Sequence, residues 1–277
     1  MKVVVTGAGG KAGRAVALDL VEHGHQVLGI DLMRPAETQS EFLVADLTDF
    51  GQTAECLADA DAVVHLAAIP ASGIETESTT FRTNMLSTYN VFEAARVLGT
   101  ERIVWASSET ILGLPFEQEQ PAYAPLDEEH PPLPQSSYAL SKLLSEELGR
   151  QLHRRTGTPH VALRFSNIME PHDYERFPSF WGDAQLRRWN LWGYIDVRDV
   201  ALSCRLALEA DVGAEHFIVA AADTVMNRPS RELMAEVYPT VPYRETAGEY
   251  DTLLSIDKAR TLLGYEPEHS WRDAVTG

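Results

Sequence analysis

The chain has 277 residues and a formal net charge of −18, with 41 acidic against 23 basic side chains. This length suits one large domain with at most a small additional lobe, and the negative charge would repel phosphate backbones, which argues against nucleic acid as a partner. Because no apolar stretch is long enough for a membrane span, no signal segment precedes the first strand and only Cys56 and Cys204 are present, we expect no membrane association and a cytoplasmic protein.

The N-terminal residues predict a strand, a tight turn and a helix. Lys2–Val5 is an apolar run typical of a buried parallel strand, and a glycine-rich turn leads from it into a helical pattern over 14–22. Gly7, Gly10 and Gly13 have the spacing of a dinucleotide-binding turn. The first permits the turn, the second lets the backbone approach a pyrophosphate, and the third lets helix and strand pack closely.

A second apolar strand, 26–30, ends on Asp31. A carboxylate at this position accepts hydrogen bonds from an adenosine ribose and repels a 2′-phosphate, which favours NAD over NADP. Arg34 is close enough in sequence to accommodate that phosphate, so NADP is not excluded. The alternative is a surface aspartate that merely ends the strand.

Strands and helices alternate along the rest of the chain. Further apolar strands are predicted at 42–47, 62–68, 102–108 and 161–165, and the longest helical patterns are 81–98 and 137–155. This alternation predicts an α/β protein with a Rossmann-like, doubly wound parallel sheet that binds ligands beyond the carboxyl ends of its strands. We assign residues 1–165 to the dinucleotide-binding core. Residues 166–277 are assigned mainly to a small C-terminal substrate lobe, with some segments returning to the core.

Tyr138 and Lys142 stand four residues apart in the predicted helix 137–155 and therefore share one helix face. An ammonium beside the tyrosine ring favours the phenolate. Tyr138 would then exchange a proton with an alcohol or a carbonyl near neutral pH. For such a pair taken alone, a solvated helix face is the alternative.

Taken in order, these pieces resemble the extended short-chain dehydrogenase/reductases, the NAD-dependent epimerase/dehydratase family. The resemblance extends from residue 1 to about residue 275. The matching pieces are Thr6–Gly13, Asp31, Asp46-Leu47, His65–Ala68, Asn84, Ser107-Ser108, Tyr138 with Lys142, Arg164 with Asn167, Tyr194–Val200 and Asp257–Pro267.

The resemblance implies the cofactor contacts and the catalytic residues. The implied NAD-binding residues are Gly7, Gly10, Lys11, Ala12, Gly13, Asp31, Asp46, Leu47, Leu66, Ala67, Ala68, Asn84, Ser107, Tyr138 and Lys142. Ser108 would hold the substrate oxygen while Tyr138 moves its proton, and Lys142 would also bond the nicotinamide ribose. Three alternatives remain open: Asn84 as a cap or bridge of backbone, Ser107 as a structural serine, and His65 as a satisfied core histidine.

The segment 114–135 is rich in proline and joins Ser108 to Tyr138. It is long for a loop, so we expect it to border the substrate. For residues 116–125, a disordered surface excursion is the alternative.

A weaker resemblance relates residues 167–176 to the short uronate dehydrogenases. It implies that Arg176 binds a substrate carboxylate, a task suited to a guanidinium fork, and that Asn167, Ser72 and Ser108 also contact the substrate. The alternative is an Arg176 paired with Glu175 or Asp173. Nearby aromatic residues would form either a wall over the pocket or the core of the lobe; they are Phe177, Phe180, Trp181, Trp189 and Trp192.

The favoured function is an NAD-dependent oxidation of a secondary alcohol or hemiacetal in a sugar-like molecule, such as a free sugar or sugar acid. Glu109-Thr110 stands where the family's 4,6-dehydratases carry Asp-Glu, so dehydration is set aside. An NAD-dependent sugar or nucleotide-sugar epimerase would use the same groups, and a non-catalytic dinucleotide-binding regulator is the third hypothesis.

No metal site is predicted, because His23/His25 and His172/Asp173 are isolated pairs. A homodimer is expected through helices 81–98 and 137–155, as in the family. Leucines at helical spacing would supply its contacts, unless they face the chain's own sheet; they are Leu140, Leu143, Leu144 and Leu148.

Overall fold

A parallel β-sheet forms the centre of the computed structural model, which describes residues 1–117, 119–245 and 248–274. The strands are β1 (Lys2–Thr6), β2 (Gln26–Asp31), β3 (Glu41–Val44), β4 (Ala62–His65), β5 (Arg102–Ser108), β6 (His160–Phe165), β7 (Ile168–Met169), β8 (Ile195–Asp196) and β9 (His216–Val219). Seven of them form the main sheet in the order β3-β2-β1-β4-β5-β6-β9, and β7 pairs with β8. The predicted doubly wound fold is confirmed, since this order reverses at β1/β4.

Helices cover both faces of the main sheet. They are α1 (Lys11–Glu22), α2 (Phe50–Cys56), α3 (Glu77–Leu98), α4 (Ser137–Thr156), α5 (Val197–Glu209), α6 (Ser230–Val237), α7 (Asp257–Leu263) and α8 (Trp271–Ala274). α1 packs against α5, and α3 packs against α2 and α4. Val3 and Val5 belong to the core beneath α1 and α5, whereas Val4 belongs to the core beneath α2 and α3. Burial on both faces explains why the strands are continuous apolar runs.

The six strands expected from sequence are all present, with two early ends. β3 ends at Val44 and β4 ends at His65, so the chain leaves the sheet sooner than the apolar runs 42–47 and 62–68 indicated. The extra apolar residues lie in the loops that follow these strands. β9 was not predicted, and it extends the sheet beside β6.

The proline-rich segment 114–135 packs against C-terminal residues, and its described part excludes only Gln118. Leu114, Phe116, Ala124 and Leu126 are buried. The Ala124 amide donates to the Pro242 carbonyl at 2.9 Å, and the Leu126 amide donates to the Leu253 carbonyl at 2.9 Å. A surface excursion therefore does not describe these residues, because they connect the catalytic half of the chain to its C-terminal part.

Two further expectations concern the membrane and the cysteines. None of the described helices is both long enough and apolar enough to cross a bilayer. Cys56 and Cys204 are buried free thiols. The division at residues 165/166 remains a prediction.

Candidate active site

The glycine-rich turn between β1 and α1 has room only for glycine at two positions. Gly7 has φ +69°, and a Cβ there would lie 2.7 Å from the Ala67 amide nitrogen. A Cβ on Gly13 would lie 2.0 Å from the Gly7 carbonyl oxygen. Gly10 is the N-cap of α1 and brings no side chain to its amides. The first turn of α1, with Lys11 and Ala12, thus faces outward as an anion-binding N-terminus.

Asp31 is held beside this turn at the end of β2. Its Oδ2 accepts a hydrogen bond from the Gly9 amide at 2.9 Å, and its Oδ1 accepts one from the Leu32 amide at 2.7 Å. Arg34 donates to the Phe42 carbonyl and stacks on the Phe42 ring, 5.2 Å from its centroid. The nearby guanidinium is therefore already engaged with Phe42.

Asp46 and Leu47 follow β3 on the same edge of the sheet. Asp46 is exposed, and its Oδ1 accepts bonds from the Thr48 amide at 2.9 Å and the Thr48 hydroxyl at 2.7 Å. Leu47 is buried, and its carbonyl accepts from Asn90 Nδ2 at 2.9 Å.

The loop after β4 is fixed by two polar side chains. Thr6 Oγ1 accepts from the amides of Leu66 at 3.1 Å and Ala67 at 3.2 Å. Asn84, buried on α3, brackets Ile69: its Oδ1 accepts from the Ile69 amide at 2.8 Å and its Nδ2 donates to the Ile69 carbonyl at 3.1 Å. Asn84 thus bridges backbone, and the half-buried loop, which includes Ala68, lies beside the glycine turn.

His65 is a satisfied core histidine. Its Nδ1 lies 2.8 Å from Thr6 Oγ1 and its Nε2 lies 3.2 Å from Thr88 Oγ1. Burial lowers the pKa of His65 to about 3, so the ring is neutral at physiological pH.

Tyr138 and Lys142 lie on one face of α4, as their spacing predicts. Ser136 caps the helix by accepting from the Ala139 amide at 3.1 Å, which places Tyr138 in the first turn. Both side chains are nearly buried. Lys142 Nζ lies 5.8 Å from the Tyr138 ring centroid and donates to the Ala106 carbonyl at 2.7 Å.

The charge states of this pair differ from the expectation of a readily formed phenolate. Burial raises the pKa of Tyr138 to about 12, with a smaller opposing contribution from the Ser108 hydroxyl and a further rise from Glu109. Burial also lowers the pKa of Lys142 to about 8. The polypeptide by itself thus favours neutral forms, because desolvation opposes both charges.

Ser107 and Ser108 end β5 and point to opposite faces, as successive strand residues do. Ser108 Oγ accepts from the Thr110 amide at 3.2 Å and the Thr110 hydroxyl at 2.9 Å, which leaves its own proton to be donated. Ser107 Oγ donates to Glu146 Oε1 at 2.6 Å, and Glu146 pairs with Arg164 at 2.8 Å. The side chain of Ser107 is therefore engaged within the protein.

Sequence reasoning missed a buried polar cluster behind Ser108. It comprises Glu109, Ser166, Arg187 and Asn190, which are all at least nine-tenths buried. Burial raises the pKa of Glu109 to about 7, opposed by Ser166, Arg187 and Asn190. The only sequence signal was the position of Glu109, directly after Ser108 at a strand end. Nothing in the sequence indicated that Arg187 and Asn190 would join it.

Lys11 directs its ammonium toward the C-terminal half. Its Nζ lies 3.0 Å from Asp173 Oδ2 and 3.9 Å from Glu170 Oε2, and it donates to the Ile168 carbonyl at 3.3 Å. Glu170, His172 and Asp173 bring their ligand atoms within 4.8 Å of one another. Because Lys11 already contacts both carboxylates, this acidic group is partly neutralised by the protein itself.

The proposed substrate residues occupy separate places around the cleft. Ser72 is exposed in the loop between β4 and α3, and Asn167 is half-buried directly after β6. Arg176 is exposed on the 3₁₀ helix Pro171–Ser179 and has no ion pair among the residues the structure describes. Its charge acts on Arg187, whose pKa is lowered to about 10 mainly by burial.

The aromatic residues divide between core and cleft. Phe177 and Trp192 are fully buried, and Trp181 stacks on Trp271 with centroids 5.2 Å apart. Phe180 and Trp189 flank Arg187, whose guanidinium carbon lies 5.4 Å and 4.8 Å from their ring centroids.

Comparison with known proteins supports this arrangement. Residues 3–220 match the model of the NAD dependent epimerase/dehydratase family. The chain is 26% identical over 282 residues to an NAD-dependent glucose-6-phosphate dehydrogenase of Haloferax volcanii, covering 96% of this chain and 92% of that one. It is 24% identical to a UDP-glucose 4-epimerase of Corynebacterium glutamicum, covering 98% and 92%.

Two further similarities concern a uronate dehydrogenase and a solved structure. A uronate dehydrogenase of Pseudomonas syringae pv. tomato is 26% identical over 183 residues, covering 65% of this chain and 64% of that one. A short-chain dehydrogenase/reductase superfamily protein of Agrobacterium tumefaciens, solved with bound NAD, superposes with a TM-score of 0.76 at 26% identity. That match covers 98% of this chain and 94% of the solved one.

Proposed function

Because the chain belongs to the NAD-dependent epimerase/dehydratase family, we propose that it is a dehydrogenase that oxidises a secondary alcohol or hemiacetal of a sugar-like substrate. Family membership makes it an NAD-dependent enzyme of the extended short-chain dehydrogenase/reductase type. The observation that carries the finer proposal is the convergence of Ser108, Tyr138 and Lys142 at the carboxyl edge of the sheet, beside the glycine turn.

The N-terminal half fits NAD on several counts. Gly7 and Gly13 permit the close approach of turn, helix and β4 loop, and the first turn of α1 offers its amides to a pyrophosphate. Asp31 stands where a ribose hydroxyl would donate to it. When bound, NAD supplies a hydride acceptor at its nicotinamide ring. NADP remains an alternative, although Arg34 is engaged with Phe42.

The proton path runs through the three catalytic candidates. Ser108 accepts two bonds from Thr110, so its hydroxyl proton is free to be donated to the substrate oxygen. As the substrate carbon gives up hydride, the phenolate of Tyr138 takes the proton of the substrate hydroxyl. The Lys142 ammonium near the ring favours that phenolate, against the burial that raises the pKa of Tyr138.

Sugar acids and sugar phosphates are the substrates that suit the lobe best. Arg176 is exposed with no ion pair in the described ranges, and Arg187 lies behind it. A guanidinium recognises carboxylate or phosphate oxygens. The similarity to the glucose-6-phosphate dehydrogenase spans nearly the full length of both chains, which favours oxidation of a small anionic sugar.

Epimerisation is the second candidate, because a UDP-glucose 4-epimerase is similar over nearly the full length as well. An epimerase uses the same Tyr138 chemistry but returns the hydride, so it consumes no net NAD. Its substrate would be a sugar or nucleotide sugar.

The test measures formation of reduced nicotinamide by absorbance, with NAD⁺ or NADP⁺, across neutral aldoses, uronic acids, sugar phosphates and nucleotide sugars. The dinucleotide released on denaturation is identified in parallel. Net reduction with an anionic sugar is expected. Tightly held NAD with a changed sugar configuration and no net reduction would instead identify an epimerase. Bound NAD with neither change would leave the non-catalytic regulator.

We further propose a homodimer formed through α3 and α4. Large apolar side chains on these helices are 39% to 59% exposed; they are Leu86, Tyr89, Val97, Leu98, Leu140 and Leu144. Leu144→Glu should shift the sedimentation mass from dimer to monomer. Leu262→Glu on α7, where Leu262 is 48% exposed, is the matched control and should not. A wild-type monomer would contradict the dimer. Buried free thiols also suit a reducing cytoplasm.

A further inference from the structure

Glu109 is a buried carboxyl directly behind the catalytic serine. It is 4% exposed and opens the 3₁₀ turn Glu109–Leu112 at the end of β5. The register that pairs Ser108 with Phe165 places Glu109 beside Ser166 on the neighbouring strand. Ser166 and Asn190 both act on the carboxyl, yet Oε2 has no partner of normal hydrogen-bond geometry among the described residues.

The other side of Glu109 is covered by residues 187–193 of the lobe. Asn190 Nδ2 donates to the Gly193 carbonyl at 2.8 Å, and Arg187 Nη2 donates to the same oxygen at 3.2 Å. A Cβ on Gly193 would meet Ser166 Oγ at 2.9 Å, so this segment is seated closely on the end of β6. A buried, unpaired carboxylate would be costly here, which makes Arg187 its natural counter-charge.

The charged and titratable groups around Glu109 come from two elements. From α4, Tyr138 responds directly to its charge. From the lobe, Arg187 faces it, with Arg176 acting on Arg187 in turn. Lys142 donates instead to the Ala106 carbonyl. Glu109 therefore lies between the proton-transfer residue and the cationic residues proposed to meet the substrate.

We propose that Glu109 is a positioning residue: its carboxylate holds Arg187 and Asn190 against the end of β5, and its charge controls how readily Tyr138 gives up its proton. This proposal rests on the proposed function only in the role it gives to Tyr138. It links the lobe to the proton path through one buried group.

The direction of the effect follows from the charges. Burial raises the pKa of Glu109 to about 7, so the carboxyl changes charge in the neutral range. When ionised, it opposes a second negative charge on Tyr138 and raises the pKa of the phenol. When protonated, it no longer does. The two groups therefore titrate as a coupled pair, and phenolate formation is spread over a wider pH range.

The first experiment needs no sugar. Tyrosinate absorbance is titrated in the NAD-loaded protein and in its Tyr138→Phe counterpart, and the difference reports Tyr138. In Glu109→Gln the midpoint should fall by about one pH unit, as expected for the loss of a nearby like charge. Glu109→Asp keeps the charge and should stay near the wild-type midpoint. Glu128→Gln is the matched control, since Glu128 is also a carboxyl with a burial-raised pKa but does not act on Tyr138.

An unchanged midpoint in Glu109→Gln, with only a lower melting temperature, would overturn the proposal and leave Glu109 as a structural residue. If Glu109→Gln does not fold, carboxyl-labelled wild-type protein is titrated by NMR, with the signal assigned through Glu109→Asp. A pKa near 7 supports the proposal, and an ordinary acidic pKa overturns it. With a substrate in hand, the rise of the oxidation rate with pH should shift downward in Glu109→Gln by the same amount. Failure of the proposed function would abolish only this kinetic test.

Discussion

The cofactor wall of the cleft, formed by the glycine turn 7–13 and the loop 66–69, is shaped by backbone. Its residues touch through carbonyls, amides and absent side chains, as between Gly13 and Gly7. The substrate wall, formed by residues 176–193, is shaped instead by side chains on short turns, such as Arg187 between Phe180 and Trp189. A wall made of backbone admits few substitutions, whereas a wall made of side chains can change its ligand while the fold stays the same.

Tyr138 serves both walls, so its loss should have the largest effect. We expect Tyr138→Phe to lower kcat by about a thousandfold, the usual scale for a lost general acid or base, while NAD affinity changes little. Single-turnover rates and NAD titration measure the two separately. Tyr250→Phe, at a partly exposed tyrosine stacked on Arg272, is the control. A Tyr138→Phe enzyme with near wild-type kcat would remove Tyr138 from the proton path.

Gly13→Ala breaks the cofactor wall. A Cβ there would lie 2.0 Å from the Gly7 carbonyl oxygen, so α1 must move away from the turn. We expect the Kd for NAD to rise by about a hundredfold, at the upper end of what overpacking costs, and to rise equally whatever sugar is present. Calorimetric titration measures it. Gly182→Ala, where an added Cβ meets nothing within 4 Å, should bind NAD normally; an equal loss there would refute the packing argument.

Arg176→Ala tests the substrate wall. Loss of a charged hydrogen bond should raise KM for an anionic sugar by about ten- to thirtyfold and leave both the NAD affinity and the KM for a neutral sugar unchanged. Steady-state kinetics with matched charged and neutral sugars separates these outcomes. Arg231→Ala, which removes an exposed arginine paired with Glu245, provides the control. A uniform effect on both sugars would mean that Arg176 supports the fold and not the substrate anion.

Asp31→Asn should have the smallest effect and would sharpen the cofactor side. The amide keeps an acceptor for the ribose but no longer repels a 2′-phosphate, so the preference for NAD over NADP should fall by about tenfold. Competitive binding of the two dinucleotides measures the ratio. Asp59→Asn, at an exposed turn, is the control. An unaltered ratio would assign the choice between the dinucleotides to other residues.

The same contrast explains what could be predicted from sequence. The cofactor wall could be predicted because its residues are contiguous and each strand before it is an apolar run, as Lys2–Thr6 is. Asn84 and Ser107 were named, but their engagement with Ile69 and Glu146 depends on tertiary contacts. Arg187 could not be found, since its burial beside Glu109 depends on a 3₁₀ turn with no periodic pattern. β9 was missed because four residues are too few to show a period.

The contact between Lys11 and Asp173 joins positions 162 residues apart in the chain. During synthesis the glycine turn emerges first, and the residue that meets its lysine emerges only after most of the sheet. The nascent N-terminal half therefore has the motif of a dinucleotide site without the contact that ties it to the lobe. Such a long-range contact forms late and slows folding. A complete pocket thus reports that the chain has been made at least as far as Asp173.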